Sequence, residues 1–550
     1  MPSDARPPEP DTAAPARSTS TLAPLRLPVF RMLWFTWLAA NISMWMNDVA
    51  AAWLMTSLTT SPALVALVQT ASTLPVFLLG LPSGALADIL DRKRFFLFTQ
   101  LWVAVIALVL CGTVLAGSMS PQLLLAMTFA NGIGLALRWP VFSAIVPELV
   151  PRHQLPAALA LNGISMNASR IVGPLVAGAL IATLGSAYVF MLNAVLAIVA
   201  AVVISRWKRE PTPQPLGREK LISAMRVGMQ FMGQSAHLQG VLVRISLFFF
   251  HSTALIALLP LVARGLPGGD ARTFTLLLAS MGSGAIVAAL NMQRLRQYWS
   301  RDGLVMRGAA LQSLAMVVVA FAPTTTVAAL AMVVAGMAWI TTANTLSVSA
   351  QFALPDWVRA RGMSMYQMAI MGASASGAAI WGQVASHYAI RGSLVAAAIT
   401  GVITMLLANR WLADSQTDDD LTPTRQFKVP VVEQPPGVGR VVLTIEYRID
   451  PARAEEFKSL MRISRRGRLR HGALSWDLLR DIHDPGLFIE QIVDESWTEH
   501  LRRFDRVTTA DAALRDRKHV FHIGKEPPVV RRRIVESVHG TDTARTMPDV

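Results

Sequence analysis

The chain is poor in charged residues and has almost no cysteine. Of its 550 residues only 15% are charged, whereas about a quarter are charged in an average soluble domain. Its one cysteine, Cys111, cannot form an internal disulfide bond, and its place inside an apolar run is typical of a core or lipid-facing residue. The low charge argues against a soluble multi-domain protein and favours a chain that lies in a membrane.

Several functional signals are absent as well. No G-x-x-x-x-G-K-[ST] loop occurs, which argues against an ATP-driven pump. The net charge of +15 suggests nucleic acid, but the basic residues cluster at helix ends and in the C-terminal region without a nucleic-acid motif. No secretory or lipidation signature is visible, and the first twenty residues are rich in Pro, Ala, Ser and Asp, so we expect residues 1–27 to form a disordered cytoplasmic tail. We predict no nucleic-acid partner, no cofactor and no metal.

Apolar residues make up 53% of the chain, and they are concentrated in runs long enough to cross a bilayer. A membrane helix needs about 20 mostly apolar residues, and about twelve such runs are present. We predict an all-α polytopic fold of two six-helix halves, residues 28–207 and 240–413, joined by a cytoplasmic linker, 208–239. The eleventh and twelfth helices are predicted at Val358–Ala385 and Ser393–Leu412.

Charge in the short loops predicts the orientation of these helices. Alternate loops are basic, and the intervening loops are almost uncharged. Because loops rich in Lys and Arg stay in the cytoplasm, we predict that both termini face the cytoplasm and that the protein lies in the inner membrane.

One basic loop, GALADILDRKR, resembles the signature between helices two and three of the major facilitator superfamily. Gly84, Asp88, Arg92 and Lys93 match the pattern Gly-x-x-x-Asp-Arg-x-Gly-Arg-Arg/Lys, whereas Ile89 stands where the first Arg is usual. The Asp-Arg-Lys form is similar to the branch that contains enterobactin-type siderophore exporters and macrolide exporters. The resemblance implies a transporter that works by alternating access between two repeated halves.

The resemblance also implies a gate at this loop. Asp88 would lie near the start of helix eleven, where a helix N-terminus favours an anion and where Arg359 or Arg361 would add an ion pair. Arg92 would pair with Glu148 at the end of helix four. Alternatively, the loop acts only as a topology signal that keeps this side of the protein in the cytoplasm.

Three ionisable side chains fall inside predicted membrane helices: Asp48, Arg138 and Arg170. Such residues are costly in a bilayer and usually face an aqueous cavity or a partner. Burial favours the neutral form of a carboxyl group and a nearby arginine favours the charged form. We therefore predict that Asp48 carries the coupling proton, with Arg138, which resembles the helix-four arginine of the superfamily, and Arg170 as partners. The alternative is a static ion pair, of Asp48 with Arg170 or of Asp48 with Arg138, that holds the helices together.

Amide, aromatic and thioether side chains on the predicted helices are candidates to line a substrate cavity. They suit a large amphipathic ligand better than a sugar or an amino acid, although for any one amide an interhelical hydrogen bond is an alternative role. The candidates are Asn41, Asn47, Gln69, Asn131, Trp139, Asn162, Asn167, His251, Asn344, Gln351 and Met368.

The composition changes sharply after Trp411. Residues 414–438 are acidic and Pro-rich and predict a linker, and 439–525 predict a soluble domain before a tail, 526–550. The order β-α-β-β-α-β, with a last strand at Val520–Gly524, suggests a ferredoxin-like α+β domain. Trp497-x-x-His500 before Phe504 resembles the antibiotic-biosynthesis-monooxygenase-like dimeric α/β-barrel family, and exporters of the transmembrane secretion effector group resemble the whole arrangement.

These observations favour a secondary transporter that exports a hydrophobic or amphipathic small molecule, such as a drug, a macrolide or a siderophore, in exchange for protons. Its partners would be this substrate, protons and the lipid bilayer. The C-terminal domain would regulate transport or self-associate. Two alternatives stay open: an importer of the same fold, and a membrane-tethered monooxygenase.

Overall fold

The computed structural model describes residues 22–208, 221–412, 424 and 439–536. Two groups of long helices make up most of this part. The first group consists of α1 (Pro28–Leu58), α2 (Pro62–Ile89), α3 (Arg92–Leu115), α4 (Pro121–Leu149), α5 (Leu155–Thr183) and α6 (Ser186–Arg206). A shorter helix, α7 (Leu221–Gln234), precedes the second group, which consists of α8 (Ala236–Gly265), α9 (Ala271–Tyr298), α10 (Arg301–Ala320), α11 (Thr325–Phe352) and α12 (Asp356–Leu412).

Local sequence explains where these helices begin. Proline, which lacks the N–H that a first helical residue leaves unpaired, opens α1, α2 and α4. Asp91 caps α3 by accepting a hydrogen bond from the backbone N–H of Arg94, and Asp270 caps α9 in a capping box with Thr273.

Ten helices of the described residues are long and apolar enough to cross a membrane, which confirms a helical, multi-span fold. The 31-residue α1 is not among them. The two helices predicted as eleventh and twelfth form the two arms of α12, which meet at a kink where Tyr388 and Ala389 leave helical geometry. The count of twelve spans stays a prediction.

The two halves pack closely where α2 contacts α12 and where α5 contacts α9. A Cβ atom at Gly382 would overlap Ala66, and one at Gly178 would overlap Thr275. These glycines let the helix backbones approach, as small residues do in membrane bundles.

A small α+β unit follows the helices. It contains β1 (Val441–Arg448), α13 (Ala454–Arg470), β2 (Ser475–Arg480), β3 (Leu487–Asp494), α14 (Trp497–Asp505), α15 (Thr509–His519) and β4 (Val529–Ile534). The strands form one antiparallel sheet in the order β2-β3-β1-β4. Its core packs Leu443 and Tyr447 of β1 and Phe488 of β3 against Phe457 of α13.

The strand predicted at Val520–Gly524 is wrong. These residues form a turn, and the last strand is β4, which pairs with β1 through partners such as Ile445 and Val530. The unit therefore extends past residue 525, the boundary that the sequence analysis predicted. The cause is that β4 is exposed along its whole length, so it lacks the alternation that marks a half-buried strand.

Candidate functional site

A cavity of about 90 Å³ lies between the two halves. Helices α1, α2 and α5 line it from one side and α8, α9 and α11 from the other. Since one water needs about 10–15 Å³ by this measure, the cavity has room for several. Its polar lining residues are Asp48, Gln69 and Arg170, and most of the others are apolar, with Phe274 and Met281 among them. We call it the central cavity.

Arg170 is held in the central cavity by aromatic rings. Its guanidinium carbon lies 5.3 Å from the ring centre of Trp45 on α1 and 4.2 Å from that of Trp339 on α11, both within the range of cation–π attraction. Trp339 belongs to the other half of the protein. Arg170 therefore joins the two halves across the cavity.

Asp48 lines the same cavity as Arg170 but forms no ion pair with it. Asp48 has no hydrogen-bond or ion-pair partner among the residues that the structure describes. Arg138 lines a separate, smaller cavity inside the first half. The structure thus brings Asp48 and Arg170 together and leaves Arg138 apart, and neither of the two static ion pairs considered from the sequence is present in this conformation. A part for Arg138 in proton coupling stays a prediction.

Aromatic contacts also close the helix ends next to the central cavity. Trp53 of α1 stacks on Phe274 of α9 with ring centres 5.8 Å apart. Arg264, near the end of α8, lies 5.0 Å from the Trp53 ring and donates a hydrogen bond to the backbone oxygen of Thr56 near the end of α1. The ends of α1 and α8 are thereby held together.

The basic loop after α2 contains one of the two contacts predicted for it. Arg92 and Glu148 form an ion pair of 2.6 Å, each 17% exposed. Arg359 donates to the backbone oxygen of Leu354, Arg361 lies beside Gly228 of α7, and Lys93 is half-buried. Gly84 and Asp88 belong to α2, but the Asp88 side chain lies outside the described residues, so its contact with α12 stays a prediction.

The cavity candidates are dispersed. Gln69 lines the central cavity, Asn131 the cavity of Arg138, and His251 a third cavity inside the second half. Met368 packs on Gly80 between α2 and α12.

The other seven candidates line none of these three cavities. Asn41 is buried, Asn47 accepts a hydrogen bond from Asn193, Trp139 packs on Trp37, and Asn162 is half-buried. Asn167 and Gln351 are exposed and bond within their own helices, and Asn344 accepts from Arg296.

The α+β unit contains a buried, fully paired carboxylate. Glu490, on β3, accepts hydrogen bonds from the side chains of Ser464, Trp476 and Lys518 at 2.9–3.1 Å. Burial opposes its charged form, but the ammonium of Lys518 and the guanidinium of Arg468 outweigh that cost and hold the pKa of Glu490 well below its usual range.

A second buried pair lies beside it. Asp494 accepts from Nδ1 of His500 at 2.6 Å, and Nε2 of His500 accepts from Arg532 at 3.2 Å. Both ring nitrogens are occupied, so this histidine has no free nitrogen for a substrate. Within the described ranges, no group of three or more His, Cys, Asp and Glu residues could hold a metal.

The α+β unit is docked on α7 and on the first turn of α12. Arg226 of α7 pairs with Glu495 at 2.7 Å, and the Trp357 ring packs against His471 at 6.4 Å and under Arg506 at 5.0 Å. Burial lowers the pKa of His471 to about 4. His471 therefore meets Trp357 as a neutral ring at physiological pH.

Sequence reasoning missed both tryptophans that hold Arg170. Trp45 precedes Asp48 by three residues, so helical periodicity places the two on one face. That spacing was the available signal. Trp339 had none, because its contact with Arg170 depends on how the halves pack.

Comparison with known protein families decides the assignment. The family model described as transmembrane secretion effector matches residues 19–539. The chain belongs to this family of the major facilitator superfamily. One relative is macrolide efflux protein A of Streptococcus pyogenes, which is 24% identical over 302 residues, 54% of this chain and 73% of the relative. The enterobactin exporter of Shigella boydii is 26% identical over 280 residues, 51% of this chain and 66% of that protein.

Solved structures agree with the fold. A bacterial homologue of the human lysosomal transporter Spinster, in an inward-facing and occupied conformation, superposes with a TM-score of 0.57 at 16% identity, covering 71% of this chain and 98% of its own. At this identity the similarity concerns the fold alone. The predicted superfamily is confirmed by the family match over residues 19–539.

Proposed function

We propose that the protein exports a hydrophobic or amphipathic small molecule, of the macrolide or siderophore class, in exchange for protons. The observation that carries the proposal is the central cavity, which places an unpaired carboxyl group, Asp48, among aromatic and aliphatic side chains at the junction of the halves. Relatives named for macrolide efflux and enterobactin export support the direction and the class of cargo. Both termini would face the cytoplasm.

In this mechanism the proton and the cargo compete for one cavity. Asp48 holds a proton when the cavity opens to the outside and releases it on the cytoplasmic side. The resulting carboxylate is attracted to the guanidinium of Arg170, which lines the same cavity. Because Arg170 also contacts Trp339 of the other half, a change in its pairing biases how the halves tilt.

The experiment is transport by the full-length protein in reconstituted vesicles with an imposed pH gradient. A macrolide antibiotic and a tris-catecholate siderophore are the probes. We expect accumulation of at least one against its gradient, abolished by an uncoupler. Movement of neither probe under a gradient, or movement that the uncoupler leaves intact, would refute proton-coupled export of these classes.

The ion pair between Arg92 and Glu148 is proposed as part of the cytoplasmic gate. Reversing one charge, Arg92→Glu, should lower transport several-fold, and the double variant with Glu148→Arg should restore most of it. The effect on stability should be small, about 1 kcal/mol or less, because partly exposed ion pairs contribute little. Initial transport rates, normalised to the amount of protein in the membrane, provide the measurement. Failure of the double variant to recover would argue against a pairwise role.

We propose that the α+β unit is a ferredoxin-like domain of the monooxygenase-like type that regulates transport. Its strand order supports the fold. Its contacts with α7 and Trp357 support regulation, because they hold α7 against the start of α12. Self-association of this domain also stays a proposal.

Trp357→Ala should loosen this domain and raise the initial efflux rate, since the cytoplasmic end of α12 would move more freely. Hydrogen exchange in α7 and α13 of the full-length protein measures the loosening. Trp411→Ala, a change at a 75% exposed tryptophan at the other end of α12, is the matched control. Faster exchange with unchanged or slower efflux would show that the contact does not restrain transport.

A further inference from the structure

A small polar cavity lies inside the first half, separate from the central cavity. It has a volume of about 20 Å³ and is enclosed by α1, α3, α4 and α6. Its polar lining residues are Ser43, Gln100, Asn131, Arg138 and Asn193, none of which lines the central cavity. We call it the N-half cavity. By the measure of about 10–15 Å³ for one water, it holds one small ion or one or two waters.

Arg138 lies in this cavity without a counter-charge. Its side chain is 3% exposed. Nη1 donates to the backbone oxygen of Ala40 at 3.2 Å, and the guanidinium carbon lies 5.4 Å from the Trp37 ring. Nε and Nη2 have no hydrogen-bond partner, and no carboxylate pairs with Arg138 in the part of the chain that the structure describes. A buried charge with neither a partner nor water is costly.

The other polar groups around the cavity are also unpaired. Nε2 of Gln100, Oγ of Ser43 and one amide oxygen each of Asn131 and Asn193 lack partners among the described residues. The Asn131 amide carries both a donor and an acceptor and can turn its N–H₂ to the cavity, whereas the Asn193 N–H₂ is already bonded to Asn47. No acidic side chain lines it. The cavity is therefore rich in donors and positively charged.

We propose that the N-half cavity binds one small inorganic anion of the size of chloride. Arg138 supplies the counter-charge, and Gln100, Ser43 and the amide of Asn131 supply further donors. Water would satisfy the donors but would leave the charge of Arg138 uncompensated. The volume excludes an organic anion, so the site is distinct from the path of the exported molecule.

The second half contains a comparable cavity that lacks the charge. It has a volume of about 10 Å³ and is lined by His251, Ser252 and Gln312 among others. Gln312 lies on α10, the third long helix of its half, as Gln100 lies on α3, and both its amide atoms are unpaired within the described residues. No arginine lines this cavity. Gln312 is thus a matched control for an effect that needs Arg138.

The test measures the thermal stability of the purified full-length protein. Sodium gluconate is replaced stepwise by sodium bromide at constant ionic strength. A bound ion stabilises the folded state by RT ln(1 + [L]/Kd), so we expect Tm to rise with bromide, and to rise logarithmically once the bromide concentration exceeds its Kd. Arg138→Met should abolish the rise, and Gln312→Leu should retain it. Crystals grown with bromide should show anomalous scattering beside the Arg138 guanidinium.

Three results would overturn the proposal. These are a Tm that does not respond to bromide, a bromide response that persists in Arg138→Met, and an Arg138→Met variant that is more stable than the native protein in both salts. If Arg138→Met fails to fold, Gln100→Leu keeps the charge and removes one donor. It should raise the bromide concentration needed for a given rise in Tm several-fold, and an unchanged concentration would equally refute the site.

Discussion

Asp48→Asn should abolish proton-driven efflux while the protein remains folded in the membrane. Asparagine has nearly the shape of aspartate but cannot take up or release a proton, so the cavity loses its titratable group. Because Asp48 has no hydrogen-bond or ion-pair partner among the described residues, the substitution breaks no contact there. Accumulation under a pH gradient in reconstituted vesicles should fall to background, while exchange of labelled for unlabelled cargo, which needs no net proton movement, continues.

Asp270→Asn is the control for this experiment. Asp270 caps α9 outside the cavity, and asparagine caps a helix as well as aspartate does. This variant should keep proton-driven efflux. Retained uphill transport in Asp48→Asn would rule out Asp48 as the proton carrier, and loss of exchange together with uphill transport would point to a role in binding the cargo.

Glu490→Gln should destabilise the C-terminal α+β unit by about 3–5 kcal/mol, the cost of breaking a buried ion pair by removing one partner. The Glu490 side chain is fully buried, and Lys518 and Arg468 would lose their counter-charge. Hydrogen exchange of β1 and β3 amides in the full-length protein measures the loss. Glu446→Gln, which breaks a more exposed pair with Arg531, should cost about 1 kcal/mol or less.

Lowering the pH should reduce the difference in unfolding free energy between the native protein and Glu490→Gln. The pKa of Glu490 is lower in the folded than in the unfolded state. Its stabilising effect is therefore present above the unfolded pKa, near 4.5, and is lost as the pH falls through the folded pKa. If the difference in unfolding free energy stays constant from neutral pH into that acidic range, the charge of Glu490 is not what stabilises the domain.

The sequence predicted the membrane helices, and it placed Asp48 and Arg170 within them, for a physical reason. A span of apolar residues must be helical in lipid, and an ionisable residue within one is rare enough to attract notice, as Asp48 and Arg170 did. The cradle of Trp45 and Trp339 around Arg170 depends on the packing of the two halves. Periodicity within single helices does not contain that information.

In the C-terminal α+β unit, by contrast, the sequence pattern does not predict the last strand. Val520–Gly524 is short and mostly apolar, which favours a strand, whereas β4 includes three consecutive arginines, Arg531, Arg532 and Arg533. These side chains pair with groups on β1 and α14, such as Thr444 and His500. An edge strand whose side chains are exposed is specified by its partners, and hydropathy along the chain does not reveal it.

Because the α+β unit is docked on α7 and Trp357, its position should report the motion of the transporter. The unit is attached to α7 by the ion pair of Arg226 with Glu495, and to the second group of helices by the edge-to-face contact of His471 with Trp357. When the second group of helices rotates, the unit should rotate with it. A small rotation then produces a larger displacement at the side of the unit that lies farthest from the helices. A fluorophore at Ile482, which is 92% exposed, would report each transport cycle without occupying the substrate pathway.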